Sequence, residues 1–158
     1  MKLRYFLGCL CILCTPCCIN QSEEIKLSNL NVESYINLNV TYDAPTYSSS
    51  IFSYTAKVST KSPYKAKGNV KIRFSITVNY YYFDPLFNSV MSGLRIGHET
   101  IYIDNNQSQA SKHCSVVLGG SFGRISSFNY KCNITVAEGF LIKKRWLQEF
   151  LCIKYFLI

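Results

Sequence analysis

The stretch VKIRFSITVNYYY, residues 70–82, constrains the fold more than any other part of the chain. Val70, Ile72, Phe74, Ile76, Val78, Tyr80 and Tyr82 fall on one phase, and Lys71, Arg73, Ser75, Thr77 and Asn79 on the other. A period of two is that of a strand with one buried and one wet face. INLNVTY repeats it, with Ile36, Leu38, Val40 and Tyr42 inward and Asn37, Asn39 and Thr41 outward. FSYTAKV does so through Phe52, Tyr54, Ala56 and Val58, and the later segment through Phe128, Tyr130, Cys132, Ile134 and Val136. Residues 25–32, 94–104 and 114–118 are further strand candidates. Short alternating runs separated by Gly, Pro, Asn and Ser point to an all-β fold, an antiparallel two-sheet sandwich of about seven strands.

One segment departs from this pattern. In DPLFNSVMSG, residues 84–93, Asp84 suits a helix cap, Pro85 the first helical position and Gly93 the end. The expectation is a short crossover helix with Leu86, Val90 and Phe87 towards the core.

The start of the chain has the layout of a secretory signal: Lys2 and Arg4, an apolar run from Phe6 to Leu13, then small residues before Cys17 and Cys18. The apolar run is shorter than the roughly 20 residues a spanning helix needs. We therefore expect a signal peptide at residues 1–18, a sandwich domain at 19–138 and a basic, apolar tail at 139–158. A lipoprotein signal fits less well, because only residues 1–8 precede Cys9 and Cys17 follows Thr-Pro.

Cleavage there leaves Cys114, Cys132 and Cys152 of the eight cysteines. In an oxidising compartment Cys114 and Cys132 are the natural bridge, worth ~3 kcal/mol through the loop it closes. Cys152 is then the odd one out. Zinc ligation lacks closely spaced partners beyond His113, and a redox pair more often reads Cys-x-x-Cys.

Four sequons, at Asn20, Asn39, Asn106 and Asn133, agree with export. Asn39 and Asn133 fall on the expected outward phase, and Asn106 in the polar run DNNQSQ.

The net charge of +8 falls to +6 once Lys2 and Arg4 are removed with the leader. Within residues 57–73, Lys57, Lys61, Lys65, Lys67, Lys71 and Arg73 occur without an acid, so this segment is a candidate anion-binding patch for sulfated glycans, anionic lipid headgroups or an acidic protein partner. A solvated hairpin whose lysines deter edge pairing is the plainer reading. Nucleic acid is a poor partner for an exported chain.

Catalytic signals are sparse. His98 and Glu99 are adjacent and would point to opposite faces of a strand. No nucleophile elbow, metal-binding His pair or phosphate loop occurs. Asp43, Asp84 and Asp104 sit at expected turns without the clustered spacing of a calcium loop. We expect no enzyme, no catalytic residue, no metal and no cofactor. The tail FLIKKRWLQEFLCIKYFLI suits a docked or surface-bound amphipathic helix, or the truncated end of a longer surface protein.

The expected protein is thus a secreted or cell-surface glycoprotein, its sandwich a non-catalytic module for an extracellular protein partner. A carrier of a lipid or other small apolar ligand, and an anionic-glycan binder, are the alternatives. The carrier would line its cavity with aromatics such as Phe52, Phe74, Tyr80, Tyr82, Phe87, Phe128 and Tyr130.

Overall fold

The computed structural model describes residues 22–43, 51–118 and 125–144. The elements are β1 (Ser22–Lys26), α1 (Val32–Tyr35), β2 (Ile36–Tyr42), β3 (Ile51–Thr60), β4 (Lys65–Asp84), β5 (Ser89–Ile103), β6 (Gln109–Val117) and β7 (Ile125–Lys144). They form two antiparallel sheets, one ordered β1-β7-β4-β5 and the other β2-β3-β6. This is the two-sheet sandwich that the alternating pattern predicts.

The alternation becomes burial. Val70, Ile72, Phe74, Ile76 and Val78 are wholly buried from β4, facing Tyr54, Ala56 and Val58 from β3. At one end Phe52 and Phe128 meet edge to face at 5.2 Å, and Tyr42 packs on Phe128 at 5.0 Å. The Tyr130 hydroxyl donates to the Val40 carbonyl at 3.1 Å, tying β7 to β2 across the sandwich.

β4 and β7 have 20 residues each, far beyond the ~5–6 of a common strand. They are continuous because the ladder tolerates irregularities, with register shifts between Lys67 and Lys71, Arg73 and Phe74, and Tyr81 and Tyr82. Gly139, at φ 126°, lies against Val70, whose Cα would be 3.0 Å from any added Cβ. Only glycine suits that backbone and that approach.

Several expectations are corrected. No helix forms at residues 84–93: β4 and β5 are a hairpin pairing Asp84 with Ser89 and Phe83 with Val90. The Asp84 carboxylate accepts from the Leu86 N–H at 2.9 Å, and Asn88 takes φ 48°. Asp-Pro opens a β-turn as readily as a helix, and pairing with β4 prevails over local capping signals. Leu86, Phe87 and Val90 are consequently exposed, not core. The turn from β3 to β4 is no hairpin either, since it carries the chain from one sheet to the other.

The strand of the second half also outruns its expected end. β7 continues past residue 138 to Lys144, pairs with β1 at Lys26↔Phe140, and buries Leu141 completely. The stretch 139–144 is therefore sheet, whereas the helix expected for the rest of the tail, the leader, Asn20 and Cys152 lie outside the described residues. The strand expected over residues 25–32 is not formed: β1 ends at Lys26, and the single-turn helix α1 begins at Val32. Its approach is held by Asn31, which accepts from the Ser28 N–H at 2.9 Å and donates to the Lys26 carbonyl at 3.0 Å.

Candidate functional site

Both cysteines of the expected bridge point inward, as their phase predicts, yet they are free. Cys114 projects from β6 and Cys132 from β7, in different sheets. β6 runs alongside β5, with Lys112 on Glu99 at 2.7 Å, whereas β7 packs across from β2. The two strands are thus diagonal to each other in a sandwich whose layers stand about 10 Å apart. A disulfide needs Cα atoms within about 7 Å, so the Cys114–Cys132 bridge is not formed. Sequence spacing measures a loop length, and the strand order that separates the ends is a tertiary property.

Burial keeps these sulfurs protonated. The Cys132 thiol is pushed up to about 11 by desolvation. Cys114 is raised by burial first and then by the Glu99 carboxylate. Tyr54, opposite Cys114 in the β3–β6 register, has its hydroxyl buried beside that thiol without a hydrogen bond of good geometry, and burial raises its pKa strongly. Protonated, shielded thiols are poor nucleophiles and poor metal ligands.

The basic segment does not make one patch. Lys57 points outward from β3, opposite Asn39 and Ser111, while Lys71 and Arg73 point outward from β4 on the opposite side of the sandwich. Acids remote in sequence neutralise part of it: Lys67 pairs with Glu24, and Lys71 with Glu138 at 3.0 Å. Lys61 donates to the Glu33 carbonyl at 2.6 Å. Lys65 is exposed.

Other candidate residues stay apart. His98 faces outward and Glu99 inward to Lys112. His113 Nδ1 lies 3.7 Å from an Asp43 carboxylate oxygen on the surface. Among the described residues no three His, Cys, Asp or Glu side chains converge on a metal position. A cleft of about 220 Å³ opens between the α1–β2 corner and β7, lined by Glu33, Ile36, Leu38, Cys132 and Ile134. It is smaller than the ~300–1,000 Å³ of common ligand pockets.

The sequon asparagines Asn39, Asn106 and Asn133 are all exposed. Asn39 is on the outer face of the three-stranded sheet and Asn133 on that of the four-stranded sheet, where it pairs with Ser75. Asn106 occupies a turn at φ 65°, its N–H donating to the Ala66 carbonyl at 2.9 Å.

The feature that sequence reasoning missed is an apolar surface. On the outer face of the β4–β5 end, Tyr81, Phe83, Val90, Leu94 and Ile96 form a strip, with Leu86 and Phe87 at the hairpin tip. Leu86 is 89% exposed, Phe87 70%, Val90 63%, Ile96 55% and Leu94 53%. Alternation in residues 89–96 could have revealed it, but the helical reading of residues 84–93 turned Leu86, Phe87 and Val90 towards the core. Compared with family models, with curated proteins and with solved structures, the chain shows no significant match.

Proposed function

We propose that this chain is a secreted or cell-surface glycoprotein whose sandwich serves as a non-catalytic interaction module. The observation that carries the reading is the apolar outer strip of the β4–β5 end, which none of the described sequons enters. Contiguous exposed apolar surface of this kind marks an interaction site. Exposure of Asn39, Asn106 and Asn133 is compatible with three bulky glycans on a folded domain. With the bridge removed, export rests on the leader pattern and these sequons.

The carrier and glycan-binder alternatives draw less support. Phe52, Phe74 and Tyr80 are core residues packed between the sheets, and the lysines divide between two faces with several already paired.

The test is expression of the full chain in eukaryotic secretory cells. The medium should contain a species lacking residues 1–18, with glycan mapped to Asn39, Asn106 and Asn133. Retention inside the cell with an intact leader and unmodified asparagines would overturn the proposal.

A further inference from the structure

We infer that the tip of the β4–β5 hairpin inserts into the surface of a lipid bilayer, Leu86 and Phe87 entering first; this names the partner of the apolar surface proposed above and rests on that reading.

The hairpin leaves the core before it ends. Alternate residues of 70–80 are buried, whereas none of 81–92 is. Asp84 pairs with Ser89, so residues 85–88 make the loop and Leu86 and Phe87 its apex, 89% and 70% exposed. Behind the apex, apolar side chains are exposed on both faces of the hairpin. Phe83 and its partner Val90 are on the outer face, and Met91, at the next position of β5, is on the other. A flat protein partner would cover one of these faces, whereas a fluid apolar medium surrounds a convex tip from every side.

Charge selects the kind of lipid. Residues 74–94 hold one charged side chain, Asp84, and its carboxylate accepts from the Leu86 N–H at the base of the loop. The lysines of the same sheet gather at its far end, where Lys26 and Lys67 both pair with Phe140 and Lys65 pairs with Ile142. A tip without cations matches zwitterionic headgroups such as phosphatidylcholine, since anionic leaflets are recognised by clustered Lys and Arg.

Depth follows from the backbone. Backbone N–H and C=O groups without partners cannot enter hydrocarbon, so the loop and strands stay among hydrated headgroups and the apex side chains alone pass below. Interfacial anchors of this kind sit ~5–10 Å deep, at the boundary of headgroups and acyl chains. Each strand residue advances ~3.3 Å, so Phe83 and Val90 follow the apex into the headgroups, with Tyr82 and Tyr81 directly behind. Tyrosine is enriched at that level, its ring against lipid and its hydroxyl in water. Asn133 pairs with Ser75, roughly 26 Å along β4 from Phe83 at ~3.3 Å per residue. A glycan there stays clear of a tip-first insertion and keeps the outer face from lying flat on the bilayer.

Co-sedimentation of the secreted chain with phosphatidylcholine vesicles tests this, at about 0.15 M salt, where the Debye length is ~8 Å. The expected result is binding that added salt leaves unchanged and that Leu86→Ser and Phe87→Ser each weaken by about 10-fold or more, through the apolar area each withdraws. Circular dichroism should not change, because both side chains are exposed. Tyr102→Ser, at an exposed position of the same sheet beside Lys71 and remote from the tip, should bind as the parent chain does. Absence of binding would overturn the inference, as would binding indifferent to both apex substitutions, or binding that needs phosphatidylserine and fades with salt. A co-purifying protein that Leu86→Ser releases, from a chain that ignores vesicles, would also overturn it, by assigning the tip to a protein partner. Secretion and glycosylation without vesicle binding remove the lipid surface alone. Retention with an intact leader removes the export reading, and the apex substitutions in refolded chain still decide whether the tip takes lipid.

Discussion

Gly97→Ala tests whether the two sheets close against each other at the β5–β6 side. A Cβ placed on Gly97 would lie 2.6 Å from Val116 Cγ2 and 3.2 Å from Ile76 Cγ2. Val116 is 7% exposed and Ile76 wholly buried, so neither can swing into solvent. Overpacking of this kind costs about 1–3 kcal/mol. It opposes the ~0.5–1 kcal/mol that alanine gains over glycine within a strand, so the net destabilisation expected is about 1–2 kcal/mol. Val116→Ala removes the obstructing methyl groups and alone costs about 1–2 kcal/mol as a buried truncation. In the double variant the alanine methyl enters the vacated space, and the penalty of Gly97→Ala should fall to about zero. The coupling between the sites is then about 1–2 kcal/mol, well above the ~0.3–0.5 kcal/mol scatter of independent sites. Urea denaturation of the four proteins, read as midpoint shifts at constant slope, measures it. Neutral Gly97→Ala, or strictly additive losses, would refute the apposition of β5 and β6.

Other outcomes follow from the core and the thiols. Tyr130→Phe removes the bond to the Val40 carbonyl and should lower stability by about 1 kcal/mol in the same urea assay. With its thiol pushed up to about 11, Cys132 should react with iodoacetamide at neutral pH far more slowly than an unfolded control, and mass spectrometry of the digested protein reads the difference. The sign of the linked stability follows: folding holds this proton more tightly than the unfolded chain does. Stability is untouched by this group below its ordinary 9.0 and falls as pH rises from there towards about 11.

Much of the fold was legible because strand alternation is a local property. The buried set Val70, Ile72, Phe74, Ile76 and Val78 follows directly from the phase of residues 70–82, and the outward placement of Asn39 and Asn133 from the phase of their own strands. Residues 84–93 misled for a physical reason. Asp-Pro at the start and Gly at the end serve a turn and a helix alike, and only pairing with β4 decides between them. Gly93 is no helix stop: it lies under the Tyr80 ring, where a Cβ would approach to 2.3 Å.

The sequence by itself determined the class of fold, the inward and outward faces of the central strands, and the outward placement of Asn39 and Asn133. Each of these depends on a side chain's phase along its own backbone. The tertiary structure decided everything that requires knowing which strand lies beside which. It separated Cys114 from Cys132 because β6 and β7 occupy different sheets and are diagonal to each other. It divided the lysines of residues 57–73 between opposite faces because β3 and β4 belong to different layers, and it supplied Glu24 and Glu138 from distant strands. Among the described residues it carried residues 89–94 of β5 past the end of β6, where the Leu118 carbonyl meets Arg95. Neighbour relations of this kind are set by long-range pairing, which no periodicity within a single strand encodes.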